Sequence, residues 1–117
     1  MKLRLDYGSD GLEASVPDDA TVITPRHADA LADPHASLID ALRDPIASRS
    51  LREVASNAGS IGISVCDFTR AQPRQQMLEA IFEELPGVSP DRFTIFVATG
   101  THRANTETEL RQMLAQG

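Results

Sequence analysis

The chain has 117 residues, 41% of them hydrophobic, which is enough for one modest core and leaves no room for two independent domains. A formal net charge of -6 argues against a nucleic-acid surface and against general attraction to an anionic membrane. One cysteine, Cys66, excludes an intrachain disulfide framework and any multi-cysteine zinc site. The N-terminal MKLRLDYGSD lacks the continuous apolar region of a signal peptide, and no run approaches the roughly 20 apolar residues of a membrane span, so the sequence reads as soluble and cytoplasmic. Ten of the eleven basic residues are Arg, the better fork for a carboxylate or phosphate.

From the N-terminus, Leu3 and Leu5 alternate with polar residues, and Gly8-Ser9-Asp10-Gly11 is a turn signal before Leu12 to Val16, which together predict a β-hairpin. Thr21 to Thr24 reads as a third short extended piece, stopped at Pro25. His27 and His35 fall in a weakly patterned polar region and read as solvated loop residues. Ser37 to Leu42 is a short amphipathic helix ended by Asp44-Pro45, because proline disfavours helical geometry in the residue before it. Ser50 and Glu53 have capping-box spacing and open a second helix, closed at Asn57-Ala58-Gly59 with Gly59 as a left-handed cap.

Ile61 to Cys66 and Phe93 to Ala98 are near-continuous apolar runs, the pattern of strands buried on both faces. Between them, Pro73 suits a first helical turn, and Met77, Leu78, Ile81, Phe82 and Leu85 form a helical apolar stripe ending at Pro86-Gly87. Asn105 or Thr106 caps a last helix, Thr106 with Glu109 in capping-box spacing, and Leu110, Met113 and Leu114 make its buried stripe. Strand, helix, strand, helix is the grammar of a parallel sheet, since parallel strands need a long crossover that a helix supplies. The expected fold is α/β: an N-terminal β-hairpin followed by a Rossmann-like β-α-β-α unit, a single domain over 1–117 with its site loops in 59–117.

In open parallel sheets ligands bind beyond the carboxyl ends of the strands, where both polar loops of this chain lie. Asp67 either turns the chain by accepting backbone N–H groups or acts as a fixed acceptor for a hydroxyl. Thr69 and Arg70 together can hold an anion, or Arg70 serves a surface ion pair. Gly100 permits a sharp turn or a close approach to a ligand. His102 stands at a strand's carboxyl end and belongs to the residue type that titrates nearest neutrality, which suits proton transfer, although a lone histidine is often structural. Thr99, Thr101 and Arg103 either bind an anion at the next helix N-terminus or cap it. Cys66 reads as strand packing.

Two stretches carry a resemblance. Cys66-Asp67-Phe68-Thr69-Arg70-Ala71-Gln72-Pro73, followed by Val97-Ala98-Thr99-Gly100-Thr101-His102-Arg103-Ala104-Asn105-Thr106-Glu107 and then Glu109-Leu110, resembles the N-terminal domain of the nickel-dependent lactate racemases, whose pattern is S/C-D-x-T-R-P-x-P and then A-T-G-x-H-R-P-x-T-x-x-E-L. Asp44-Pro45-Ile46-Ala47-Ser48 also looks like that family's link before its second helix. The resemblance implies the N-terminal part of a larger two-domain isomerase that racemises or epimerises a small 2-hydroxy acid. In such an enzyme a histidine deprotonates the substrate hydroxyl while hydride moves from Cα to a nickel pincer nucleotide tethered to a lysine. It implies His102 as a catalytic base, Arg70 as the residue holding the substrate, Asp67 as an active-site acid, and a remainder of the same enzyme as partner. Ala71 and Ala104 depart from the family's prolines, which loosens both loops. The tethering lysine, the nickel ligand and a second histidine lie further along in the family. The expectation is therefore that this chain alone binds no metal or cofactor and is inactive. The alternative is a non-catalytic α/β anion-binding module, or one part of a split enzyme.

Overall fold

The computed structural model describes residues 1–114, and the chain divides into two units, Met1–Ala30 and Leu31–Gly117. In the first, strand β1 (Lys2–Leu5) pairs antiparallel with β2 (Leu12–Ser15), with Lys2 opposite Ser15 and Leu5 opposite Leu12. The hairpin closes because Gly11 takes a φ of +71°, which L side chains resist, and its N–H reaches Tyr7 O at 2.9 Å. Lys2 and Glu13 form an exposed cross-strand pair at 2.6 Å. The third extended piece is not a strand: Thr21 to Thr24 finds no partner strand among the described residues, and Ile23 lies 90% exposed.

The second unit holds the helices and a parallel strand pair. Helix α1 (Pro34–Arg43) starts earlier than its apolar spacing indicates, because Asp33 caps it by accepting Ala36 N–H at 2.9 Å and Pro34 occupies the first turn. His35 is therefore helical, and its Nε2 meets Glu83 at 2.9 Å on the surface. Helix α2 (Leu51–Ala55) has the expected Ser50–Glu53 capping box. Gly59 differs from expectation, since it is not among the glycines with positive φ.

Strand β3 (Ile61–Cys66) runs parallel to β4 (Phe93–Ala98) in strict register, from Ile61 opposite Phe93 to Cys66 opposite Ala98. Helix α3 (Arg74–Glu84) connects them, with Pro73 just before its first residue and a 3-10 turn, Pro90–Arg92, ahead of β4. Helix α4 (Glu107–Leu114) follows β4 and buries Met113. Helix α3 packs against both α1 and α4. The strands are not covered on both faces as their apolar runs suggest. Ile61, Ile63, Val65, Phe93, Ile95 and Val97 turn one way and are buried or half-buried, while Gly62, Ser64, Thr94, Phe96 and Ala98 are exposed.

The core is small: Ile39, Ala55, Val65, Leu78, Ala80, Leu85 and Met113 are its buried apolar members. Of the α3 stripe, Leu78 and Leu85 are buried and Met77 and Ile81 half-buried, while Phe82 is 42% exposed with its ring edge-on to Phe93 at 5.1 Å between centroids. Helix α3 also buries two charged residues, Arg74 and Glu84. Glu84 is 1% exposed and accepts Arg43 Nε and Nη2 at 2.9 and 2.6 Å and Arg52 Nε at 3.0 Å, so one carboxylate ties α1 and α2 to α3. The hydrogen bond from Arg43 and the charges of both arginines hold it below the usual Glu range against the opposing effect of burial.

Such a core tolerates little loss. Leu78 is 4% exposed, so Leu78→Ala should cost about 2–5 kcal/mol in urea unfolding. Ile46 is 97% exposed, and Ile46→Ala should change stability by no more than about 0.5 kcal/mol.

Candidate functional site

Because Cys66 and Ala98 are register partners, the chain leaves both strands at the same edge, and the loops after them begin side by side. The first loop curls at once: Arg70 N–H donates to Asp67 O at 3.3 Å and Gln72 N–H to Arg70 O at 2.9 Å. The second is a tight turn in which His102 N–H reaches Thr99 O at 2.9 Å. Gly100 has a φ of +58° there, so the sequence needs glycine at this point for the turn that brings His102 back over the strand ends.

The two loops meet through a hydrogen-bonded pair. His102 Nδ1 lies 2.6 Å from Asp67 Oδ2. The other carboxylate oxygen, Oδ1, accepts the Thr69 hydroxyl at 2.7 Å and the Thr69 N–H at 3.2 Å. Asp67 is 3% exposed, yet the Thr69 hydroxyl and then His102 hold its carboxyl below the usual Asp range, so it is an anion near neutrality. An anion against Nδ1 selects the tautomer with the proton on Nδ1. In the neutral ring that leaves Nε2 as a lone-pair acceptor, on a side chain 44% open to solvent. Thr69 Oγ1 stands 3.4 Å from Nδ1 as well, steadying the ring from the same loop.

A cavity of about 220 Å³ adjoins this pair, lined by Asp67, Phe68, Thr69, His102, Arg103, Asn105 and Glu109. Of the residues the sequence singles out, it gathers Asp67, Thr69, His102 and Arg103. Arg70, Thr99, Gly100 and Thr101 lie outside its lining. Arg70 is exposed on the first loop, and its guanidinium meets no carboxylate or carbonyl among the described residues. Thr99, Gly100 and Thr101 form the turn. Arg103 is committed: it makes a two-pronged pair with Glu109 at 2.9 and 2.7 Å. Glu109 also accepts Thr106 N–H at 2.7 Å, and its own N–H donates to Thr106 Oγ1 at 3.3 Å, which is the capping box of α4.

Sequence reasoning gave two residues no part in the site, Arg74 and Asn105, the second read only as a helix cap. Arg74 has its guanidinium against the first loop's carbonyls, and a basic residue opening a helix gives no sign of being buried. Asn105 turns Nδ2 to Glu109 Oε2 at 3.4 Å, while its Oδ1 is closed to solvent and unpartnered. A larger apolar cleft of about 390 Å³, between Phe82, Leu85, Val88 and Phe93, lies toward the amino ends of the strands and has no titratable group in its lining.

Comparison with known proteins bears on this pair of loops. The lactate racemase N-terminal domain model matches residues 7–117. The chain belongs to the lactate racemase N-terminal domain family. A lactate racemase of Lactiplantibacillus plantarum is 40% identical over 70 residues, 59% of this chain and 16% of that protein. The lactate racemase apoprotein of Thermoanaerobacterium thermosaccharolyticum superposes with a TM-score of 0.74 over 99% of this chain and 27% of its own, at 24% identity, and shares the fold. This lactate racemase N-terminal domain thus spans only a fraction of the length of those relatives. Among its described residues no three His, Cys, Asp or Glu side chains stand close enough to hold a metal ion, and no helix is long and apolar enough to cross a membrane. Lys2, the only lysine in the sequence, is paired with Glu13 in the hairpin. These donors do not by themselves fit a lysine-tethered nickel group.

The brace on the second loop makes a measurable claim. Arg103 first, and then the Thr106 N–H, hold the Glu109 carboxyl at about 2 against an ordinary 4.5. A depressed carboxyl contributes stability that is complete above its unfolded value and is lost as pH falls through its folded one. The Glu109 carboxyl carbon should therefore titrate near pH 2 by NMR, with the α4 cap intact at pH 4. In Arg103→Gln the midpoint should move toward 4.5.

Proposed function

We propose that this domain supplies the proton-transfer and anion-binding side of the active site in a racemase or epimerase of a small 2-hydroxy acid. The observation that carries the reading is the 2.6 Å pair of His102 and Asp67 beyond the paired strand ends, in a chain of the lactate racemase family. His102 Nε2 takes the proton of the substrate hydroxyl. Asp67 keeps the other ring proton on Nδ1 and stabilises the imidazolium that forms, while Thr69 fixes the carboxylate of Asp67. Arg70 receives the substrate carboxylate as a two-pronged ion pair.

Loss of the hydroxyl proton to Nε2 and of a hydride from Cα turns the 2-hydroxy acid into the 2-keto acid. Return of both, with the hydride added to either face, gives either enantiomer. The hydride acceptor that the resemblance implies, a nickel pincer nucleotide, would be held by the rest of that enzyme. The domain's own part is to bind the carboxylate, orient the hydroxyl and move its proton. Residues 1–117 are on this reading the N-terminal part of the racemase domain, and the rest of that enzyme is their partner.

In the racemase containing this domain, His102→Ala should lower kcat by about 10² to 10⁴ with substrate binding largely kept. Arg70→Ala should raise KM strongly, and it should also lower kcat by freeing the acid to rotate out of reactive geometry. Steady-state and single-turnover rates from each enantiomer decide the matter. Wild-type turnover in His102→Ala would return this histidine to a structural role.

A further inference from the structure

Arg74 opens α3 and is only 9% exposed, an unusual position for a guanidinium. Its Nε donates to Cys66 O at 3.0 Å, and its Nη2 donates to Asp67 O and to Arg70 O. No carboxylate pairs with it among the described residues. A buried cation persists only if its N–H groups find acceptors, and here backbone carbonyls at the end of β3 and in the first loop accept from Nε and Nη2. Three carbonyls within five residues cannot face one planar fork unless the chain between them curls in one particular way. Gln72 adds a fourth tie from the same loop, accepting Cys66 N–H on Oε1 at 3.1 Å.

Two of the three clamped carbonyls belong to Asp67 and Arg70, the residues that orient His102 and meet the substrate in the proposed function. We propose that Arg74 is a positioning residue of this site. Its guanidinium holds Asp67 against Nδ1 of His102 and sets the distance from Nε2 to the Arg70 fork, on which simultaneous grip of hydroxyl and carboxylate depends. This inference rests on the proposed roles of His102 and Arg70, while the clamp can be tested without them. Lysine keeps the charge but offers a point donor that cannot span three carbonyls, so Arg74→Lys separates geometry from charge, and Arg74→Met removes both.

Kinetics in the racemase containing this domain, and NMR of the chain itself, give separate readouts. A loop shifted by about an ångström costs on the order of 10²-fold, so Arg74→Lys should lower kcat/KM by about 10- to 10²-fold through both kcat and KM. In the same variant the downfield Nδ1–H resonance of His102, which reports its bond to Asp67, should broaden or vanish while unfolding stays cooperative. Glu107→Gln, on an exposed α4 residue paired only with Arg111, should leave resonance and kinetics unchanged. A folded Arg74→Lys whose Nδ1–H signal and kinetics stay within twofold of wild type overturns the proposal. If Arg74→Met does not fold, the lysine variant decides; if neither folds, Arg74 is a folding residue and the positioning role falls. Wild-type turnover in His102→Ala would instead sink the proposed base, and the Nδ1–H signal in Arg74→Lys would still report on the clamp.

Discussion

The in-register parallel pairing of β3 with β4 is the constraint on which the site depends. With Cys66 opposite Ala98, two loops far apart in sequence start side by side, and a carboxylate and an imidazole 35 residues apart come within hydrogen-bond distance. A slip of one residue would turn every side chain of one strand to the other face. The apolar alternation of Ile61, Ile63 and Val65 against Phe93, Ile95 and Val97 opposes such a slip, because it would expose one set and bury Ser64 or Thr94 in its place. The core thus does more than stabilise the fold. It fixes the height at which Asp67 and His102 leave the sheet.

Strand register brings the loops together but does not shape them, and each has its own brace. Ala71 and Ala104 bring no ring to stiffen the backbone. The first loop is instead held from beneath by Arg74, through carbonyls on either side of Phe68-Thr69. The second is held by the Arg103–Glu109 pair, which also completes the cap of α4. Both braces run from a loop to the start of the helix that follows it. A loop fastened at both ends in this way loses little further freedom when a ligand arrives, which favours binding.

The hairpin, the parallel strands, α2 with its capping box and the last helix were legible in the sequence, because each rests on local pattern: alternation, an apolar run, or Ser50 and Thr106 three residues before a Glu. The polar loops were legible from their place after buried-type strands. What the sequence hid depends on partners distant in the chain or on backbone curvature. Glu84 reads as a solvated helix residue until Arg43 and Arg52 arrive from two other helices. Arg74 reads the same way until the loop curls over it. Gly59 sits where a left-handed cap is common, but nothing local requires that conformation, and the chain does not adopt it. The strands' outer face read as buried because Phe96 and Ala98 continue the apolar run, whereas burial depends on a covering layer that pattern does not reveal.

Three arginines crowd these loops in a chain whose net charge is -6, and their geometry sorts them. Arg74 is buried, and its Nε and Nη2 are spent on carbonyls. Arg103 points two prongs at Glu109, and that carboxylate is held near 2 by the attachment, so an arriving substrate carboxylate would have to displace a partner that stays ionised far below neutrality. Arg70 alone of the three is exposed with no such tie among the described residues. Asp67, the nearest anion on its loop, is committed to Thr69 and His102 and does not compete for it. In the proposed function this leaves the Arg70 guanidinium uncommitted and able to take a carboxylate as a two-pronged ion pair. The attraction is not cancelled in advance by Asp67, whose charge is turned toward the imidazole that it orients.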